Sequence, residues 1–85
     1  MSEKKQFHST QLLSGEYFPD TRKLRLTFRQ GKNIYEYDNI GPEIWQGLCG
    51  AESAGRFFHK VIRMGLYPYR KLPKPIQENQ GGRPY

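Results

Sequence analysis

Eighty-five residues carrying a formal net charge of +6 allow one small domain and no second, because a chain this short buries only about 60% of the surface its unfolded form exposes. A single cysteine, Cys49, excludes an intramolecular disulfide or a cysteine-based zinc site and favours a reducing, cytoplasmic setting. The charged start is followed by no apolar core of a signal sequence, and no stretch approaches the roughly 20 apolar residues of a membrane span, so neither export nor a membrane partner is expected.

In chain order, residues 1–8 read as a flexible N-terminus. Leu12, Leu13, Tyr17 and Phe18 then make an apolar stretch that the Pro19-Asp20 pair ends, as in a turn. This predicts a first strand, with Gly15 marking a bulge. Leu24, Leu26 and Phe28 alternate with Arg25, Thr27 and Arg29, the period of two that places apolar side chains on one face and charges on the other. Gly31 supplies a tight hairpin, and Ile34 to Tyr37 forms a third strand with Tyr35 and Tyr37 on one face. The three strands make an antiparallel meander, one face of which needs a cover.

Two helices are expected to supply that cover. Gly41-Pro42-Glu43 opens the first, since proline is preorganised for the first helical position and an acid favours the positive end of the helix dipole. Ile44, Trp45 and Leu48 share one side, Cys49 lies beside them as an inert thiol, and Gly50 suits a left-handed cap. Ser53 is the N-cap of the second helix, along which Phe57, Phe58, Val61 and Ile62 form an apolar stripe. Gly65 closes that helix, and Met64 and Tyr67 read as the end of the core. The fold class is therefore α+β, a βββαα arrangement over residues 9–67. It is followed by a basic Pro/Gly-rich tail over 68–85 that is extended or disordered from Leu72 onward.

The charge has a location. Seven bases and seven acids cancel between Met1 and Gly55, whereas Arg56 to Lys74 contains six bases and no acid. Arg56, Lys60 and Arg63 recur at i, i+4 and i+7 on the second helix, and Arg70, Lys71 and Lys74 continue the run. An electrostatic partner should dock there.

Tyr17 with Pro19-Asp20, then Leu24 and Phe28, then Gly31, then Tyr35-Glu36-Tyr37, and the block Ala51-Glu52-Ser53-Ala54-Gly55-Arg56-Phe57-Phe58 followed by Ile62-Arg63, together resemble the KTSC domain. That small domain stands at the C-terminus of some lysyl-tRNA synthetases and alone in bacteria and their phages. Glu52 departs from the proline that members often carry. The resemblance implies the fold, and its synthetase fusion suggests RNA binding.

No phosphate loop, metal-ligand spacing or nucleophile context is present, so no enzyme activity, cofactor or metal is expected. Two histidines over a phosphate would suit nuclease chemistry, but His8 and His59 lie at opposite ends of the domain in sequence. The expected function is a binding module for RNA or single-stranded nucleic acid, with Arg56, Lys60, Arg63, Arg70, Lys71 and Lys74 on phosphates and Tyr35, Tyr37 and His59 as stacking or rim residues. For the two tyrosines a core position is the preferred alternative, since a small meander needs every aromatic it has. Gly55 either approaches a phosphate or packs the first helical turn against a strand. The rival reading is an accessory protein that docks an acidic protein partner. A monomer or a homodimer paired through sheet edges is compatible with the pattern.

Overall fold

A computed structural model describes residues 1–73. The alternation around Leu24 and Leu26 places strand β3 (Lys23–Phe28) at the centre of an antiparallel sheet whose order follows the chain, β1-β2-β3-β4-β5. The other strands are β1 (Glu3–Gln6), β2 (Leu12–Phe18), β4 (Ile34–Tyr37) and β5 (Tyr69–Leu72). Between β4 and β5 lie α1 (Pro42–Gly50) and α2 (Ala54–Phe57), the latter running directly into a π-helical segment (Phe58–Arg63).

The α+β class and the two helices agree with expectation, but the sheet has five strands where the sequence predicted three. Both additions fall in segments read as flexible. β1 occupies the N-terminus, and β5 occupies the start of the tail. All four β1 residues are exposed, as are the first three of β5, so neither strand carries the apolar alternation that reveals a strand in sequence. They are held by main-chain pairing to the outer edges of β2 and β4. The rest of the expected tail, including Lys74, lies outside the described residues.

Register fixes the faces. Glu3, Tyr17, Leu24, Tyr37 and Tyr69 stand in one cross-strand row, and Lys5, Gly15, Leu26, Tyr35 and Lys71 in another. Both rows point to the helix-covered side. The row between them, Lys4, Glu16, Arg25, Glu36 and Arg70, points to the opposite, open side, because successive side chains on a strand alternate.

Trp45 of α1 stacks on Tyr17 at 5.7 Å between ring centroids and meets Phe7 edge-on at 6.5 Å. Phe7, in the segment expected to be flexible, is buried. Trp45 donates its indole N–H to Glu3 Oε1 at 2.8 Å, and Tyr17 donates its hydroxyl to the Ile40 carbonyl at 2.6 Å, so both polar handles are satisfied inside the packing. Gly15 allows this stack. A Cβ there would lie 3.1–3.2 Å from Leu26, Phe7 and Trp45 side chains. The register irregularity expected at Gly15 falls between Leu12 and Ser14 instead. Leu12, Leu24, Leu26, Ile40, Leu48 and Ile62 are fully buried, each worth about 1.5–3 kcal/mol relative to exposure.

Two helix ends differ from expectation. Gly50 takes no left-handed conformation, and α1 ends at an extended Ala51 whose N–H reaches the Leu48 carbonyl. Ser53 does cap α2, its hydroxyl accepting from the Arg56 N–H at 3.3 Å. Beyond the π-helical segment the left-handed residue is Leu66, φ 59°, next to the glycine expected to close the helix. Met64, expected in the core, is 66% exposed, while Tyr67 packs against the core half-buried.

Candidate functional site

The second helix does not continue as a regular α-helix through its basic residues. Phe58 to Arg63 is wound as a π-helix, with the Met64 N–H bonding back to the His59 carbonyl at 3.3 Å. Such single turns are rare and recur at functional sites. A wider turn takes more residues to come round, so Arg63 is rotated away from the line that Arg56 and Lys60 would share with it on an ideal helix. Phe58 and Ile62 face the sheet. Arg56, His59, Lys60 and Arg63 are exposed, and Arg63 lines a groove with Phe58 and Ile62.

That groove lies between the π-helical segment, the loop after it, and the inner face of β4 and β5. Its volume is about 830 Å³, within the range of small-molecule and cofactor sites. Tyr37 forms the floor. It is 6% exposed and meets Phe58 edge-on at 5.9 Å. Tyr35 is half-buried beside it, and Tyr69 leans over both at 5.5 Å from Tyr37 and 5.9 Å from Tyr35 while remaining 62% exposed. Burial pushes the Tyr37 hydroxyl up to about 12, reinforced by Tyr69 and Tyr35 and opposed by the positive charge of Arg63. Gln30 and Asn33 of the β3–β4 turn line the groove, as does Leu66.

The two tyrosines of the Tyr35-Glu36-Tyr37 triplet thus divide the roles considered for them. Tyr37 is core and Tyr35 is half-buried wall. The glutamate between them points to the open face of the sheet and organises the charges there. Glu36 accepts from Arg25 Nε at 2.8 Å and from an Arg70 guanidinium N–H at 2.5 Å, and Asp38 pairs with Lys23 at 2.8 Å and Arg70 at 2.6 Å. The Arg25 guanidinium also lies 4.9 Å over the Phe18 ring. Hydrogen bonds from Arg70 and Lys23 hold the Asp38 carboxyl down to about 2, and the bond from Arg25 leads the lowering at Glu36 despite its burial.

The five described cations of the six expected to form one track are therefore separated. Arg70 is committed to Glu36 and Asp38 on the open side of the sheet. Lys71, its neighbour, shares the inner-face row with Tyr35. Arg56, Lys60, Arg63 and Lys71 make no ion pair among the described residues. Gly55 is taken up by packing, since a Cβ there would lie 2.8 Å from Gln11 Oε1 and 3.2 Å from Ser9 Oγ. Ser9 Oγ is itself fixed by N–H donors from Gln11 and Leu12. Half-buried Cys49 has its thiol pushed up by burial, which makes it a poor nucleophile. No group of three or more potential metal ligands occurs among the described residues, and none of their helices is long and apolar enough to cross a membrane.

Sequence reasoning missed the outer wall of this groove. Tyr67 and Tyr69 stand two apart, the strand period, but Pro68 between them and the bases that follow read as a tail. Phe28, Gln30 and Asn33 become groove residues only once β4 folds back beside β3.

The KTSC domain family model matches residues 8–74. An uncharacterized protein of Stutzerimonas stutzeri is 34% identical over 64 residues, which is 75% of this chain and 89% of that relative. A lysine–tRNA ligase of Nostoc is 39% identical over 56 residues, 66% of this chain but only 10% of the ligase. The crystal structure of a KTSC domain protein from Yersinia pestis superposes with a TM-score of 0.77 at 33% identity, covering 86% of this chain and all of that one.

Proposed function

The chain belongs to the KTSC domain family, and on that premise we propose that it is a non-enzymatic cytoplasmic module that binds RNA or other single-stranded nucleic acid. The observation that carries this reading is the separation of two kinds of cation. Lys23, Arg25 and Arg70 are paired with Glu36 and Asp38 on the open sheet face. Arg56, Lys60, Arg63 and Lys71 are exposed and lack acidic partners among the described residues; of these, Arg63 lines an aromatic groove and Lys71 stands in the inner-face row with Tyr35 of that groove. Unpaired cations beside exposed rings are the arrangement by which proteins hold single strands, with charge on the phosphates and rings on the bases. The likeness to a segment of a lysine–tRNA ligase, an enzyme that handles RNA, supports the same class of partner.

Arg70 takes no part in this binding, because moving it to a phosphate would leave Asp38 without its main donor and take a second donor from the buried Glu36. Four phosphate contacts on a single strand give a log-log salt slope of about −3, from roughly −0.7 per contact. Titration of tRNA and short oligonucleotides at several salt concentrations measures it. Binding at low salt with that slope, weakened by joint Arg56→Ala and Lys60→Ala substitution, supports the proposal. No binding at low salt, or a stoichiometric acidic protein recovered in its place after nuclease treatment, overturns it.

A further inference from the structure

We propose that the groove between the π-helical segment and β4–β5 is a seat for one unpaired nucleobase, with Tyr69 as the stacking platform. The inference rests on the nucleic-acid reading above and deepens it by separating base recognition from phosphate attraction.

Three chemistries meet in this groove. Gln30 and Asn33 line it beside the β3–β4 turn, and their side chains make no hydrogen bond among the described residues. Carboxamides both donate and accept, which suits the edge of an unpaired base. Tyr69 offers a ring that is 62% exposed although it rests on Tyr37 and Tyr35, so one side is supported by the protein and the remainder is open to a stacking partner. Arg63 is near enough to Tyr37 to oppose the rise in its pKa, and its guanidinium suits a phosphate oxygen.

Other occupants fit less well. A quaternary ammonium ligand would enjoy the rings but meet the charge of Arg63. A purely apolar segment would leave that charge and two carboxamides without partners as they lost water. A bare polyphosphate would use the arginine and ignore the tyrosines. Leu66, on the groove's rim, is 88% exposed and holds the left-handed backbone, φ 59°, with which chains commonly leave a helix.

The test compares a short single-stranded RNA, an abasic strand of equal length and charge, and a blunt duplex. Fluorescence anisotropy gives affinity, and 2-aminopurine within the single strand reports stacking. With the unaltered protein, the base-bearing strand should bind about 5- to 150-fold tighter than the abasic strand, the range for loss of one stacked base, and 2-aminopurine emission should be quenched. Tyr69→Ala should reduce the base-bearing strand to the abasic level while leaving abasic binding unchanged, and Tyr69→Phe should restore it. Arg63→Ala should weaken both strands. Equal affinity for the base-bearing and abasic strands, or unquenched 2-aminopurine, overturns the base seat and leaves the phosphate-binding proposal standing. Failure of all three nucleic acids to bind overturns both.

Discussion

The two ends of this sheet use aromatic side chains in opposite ways. Over β1, β2 and β3, Phe7, Tyr17 and Trp45 close on one another around Gly15, and the polar atoms of Tyr17 and Trp45 are spent on Ile40 and Glu3. Over β4 and β5, Tyr35, Tyr37 and Tyr69 have comparable spacings, but Tyr69 stays exposed and a groove remains open beside them. The difference lies in the cover. Helix α1 stacks a tryptophan on Tyr17, whereas the π-helical segment buries Phe58 and Ile62 toward the sheet and leaves a groove that Arg63 lines. Tyr69 packs on Tyr37 and Tyr35 and still leaves 62% of its surface exposed.

The most severe way to probe that contrast is to remove the cover at the closed end. Trp45→Ala should cost about 3–5 kcal/mol in urea denaturation, the range for truncating a large buried aromatic. A smaller loss would mean that the stack on Tyr17 is dispensable. Gly15→Val should cost about 1–3 kcal/mol by overpacking, because the added atoms meet three core side chains at once.

At the open end, acid should act before global unfolding. The Glu36 and Asp38 carboxyls are held below their ordinary values, Asp38 at about 2. Their contribution is therefore complete above the unfolded-state range near about 4 and is lost as pH falls from there toward about 2. Hydrogen exchange should show Arg70 and Leu72 amides losing protection across that window while Leu24 and Leu26 keep theirs. Simultaneous loss in both places would show that β5 is no weaker than the centre of the sheet. The smallest effect is expected from Tyr69→Ala, within about 0.5 kcal/mol of the parent by the same denaturation measurement, as for surface substitutions generally.

The centre of the sheet and the helix starts were the more legible in sequence. The alternation of Leu24, Leu26 and Phe28, the Pro42 helix start and the Ser53 cap each carry a local signal, and each appears where that signal places it. Legibility failed where a residue's role is set by something distant. Glu3-Lys4-Lys5-Gln6 becomes a strand through pairing with β2, and Phe7 becomes core only because Trp45, far along the chain, lies against it. Arg70 reads as one more base in a basic run until Glu36 and Asp38 are brought beside it. The π-helical turn, which parts Arg63 from Arg56 and Lys60, follows no spacing rule that apolar periodicity expresses.

Tyr37 and Tyr69 are cross-strand neighbours although 32 positions separate them, whereas Leu24 and Tyr37 are 13 apart. Closing a longer loop costs more chain entropy, by about 0.6 kcal/mol for each doubling, and both helices lie inside the longer loop. During synthesis the ribosome must therefore release almost the entire folded region before the last strand can dock. A fragment ending at the helices would have a centre and a cover but would lack β5 and with it Tyr69, so the groove is the last part of the fold to form.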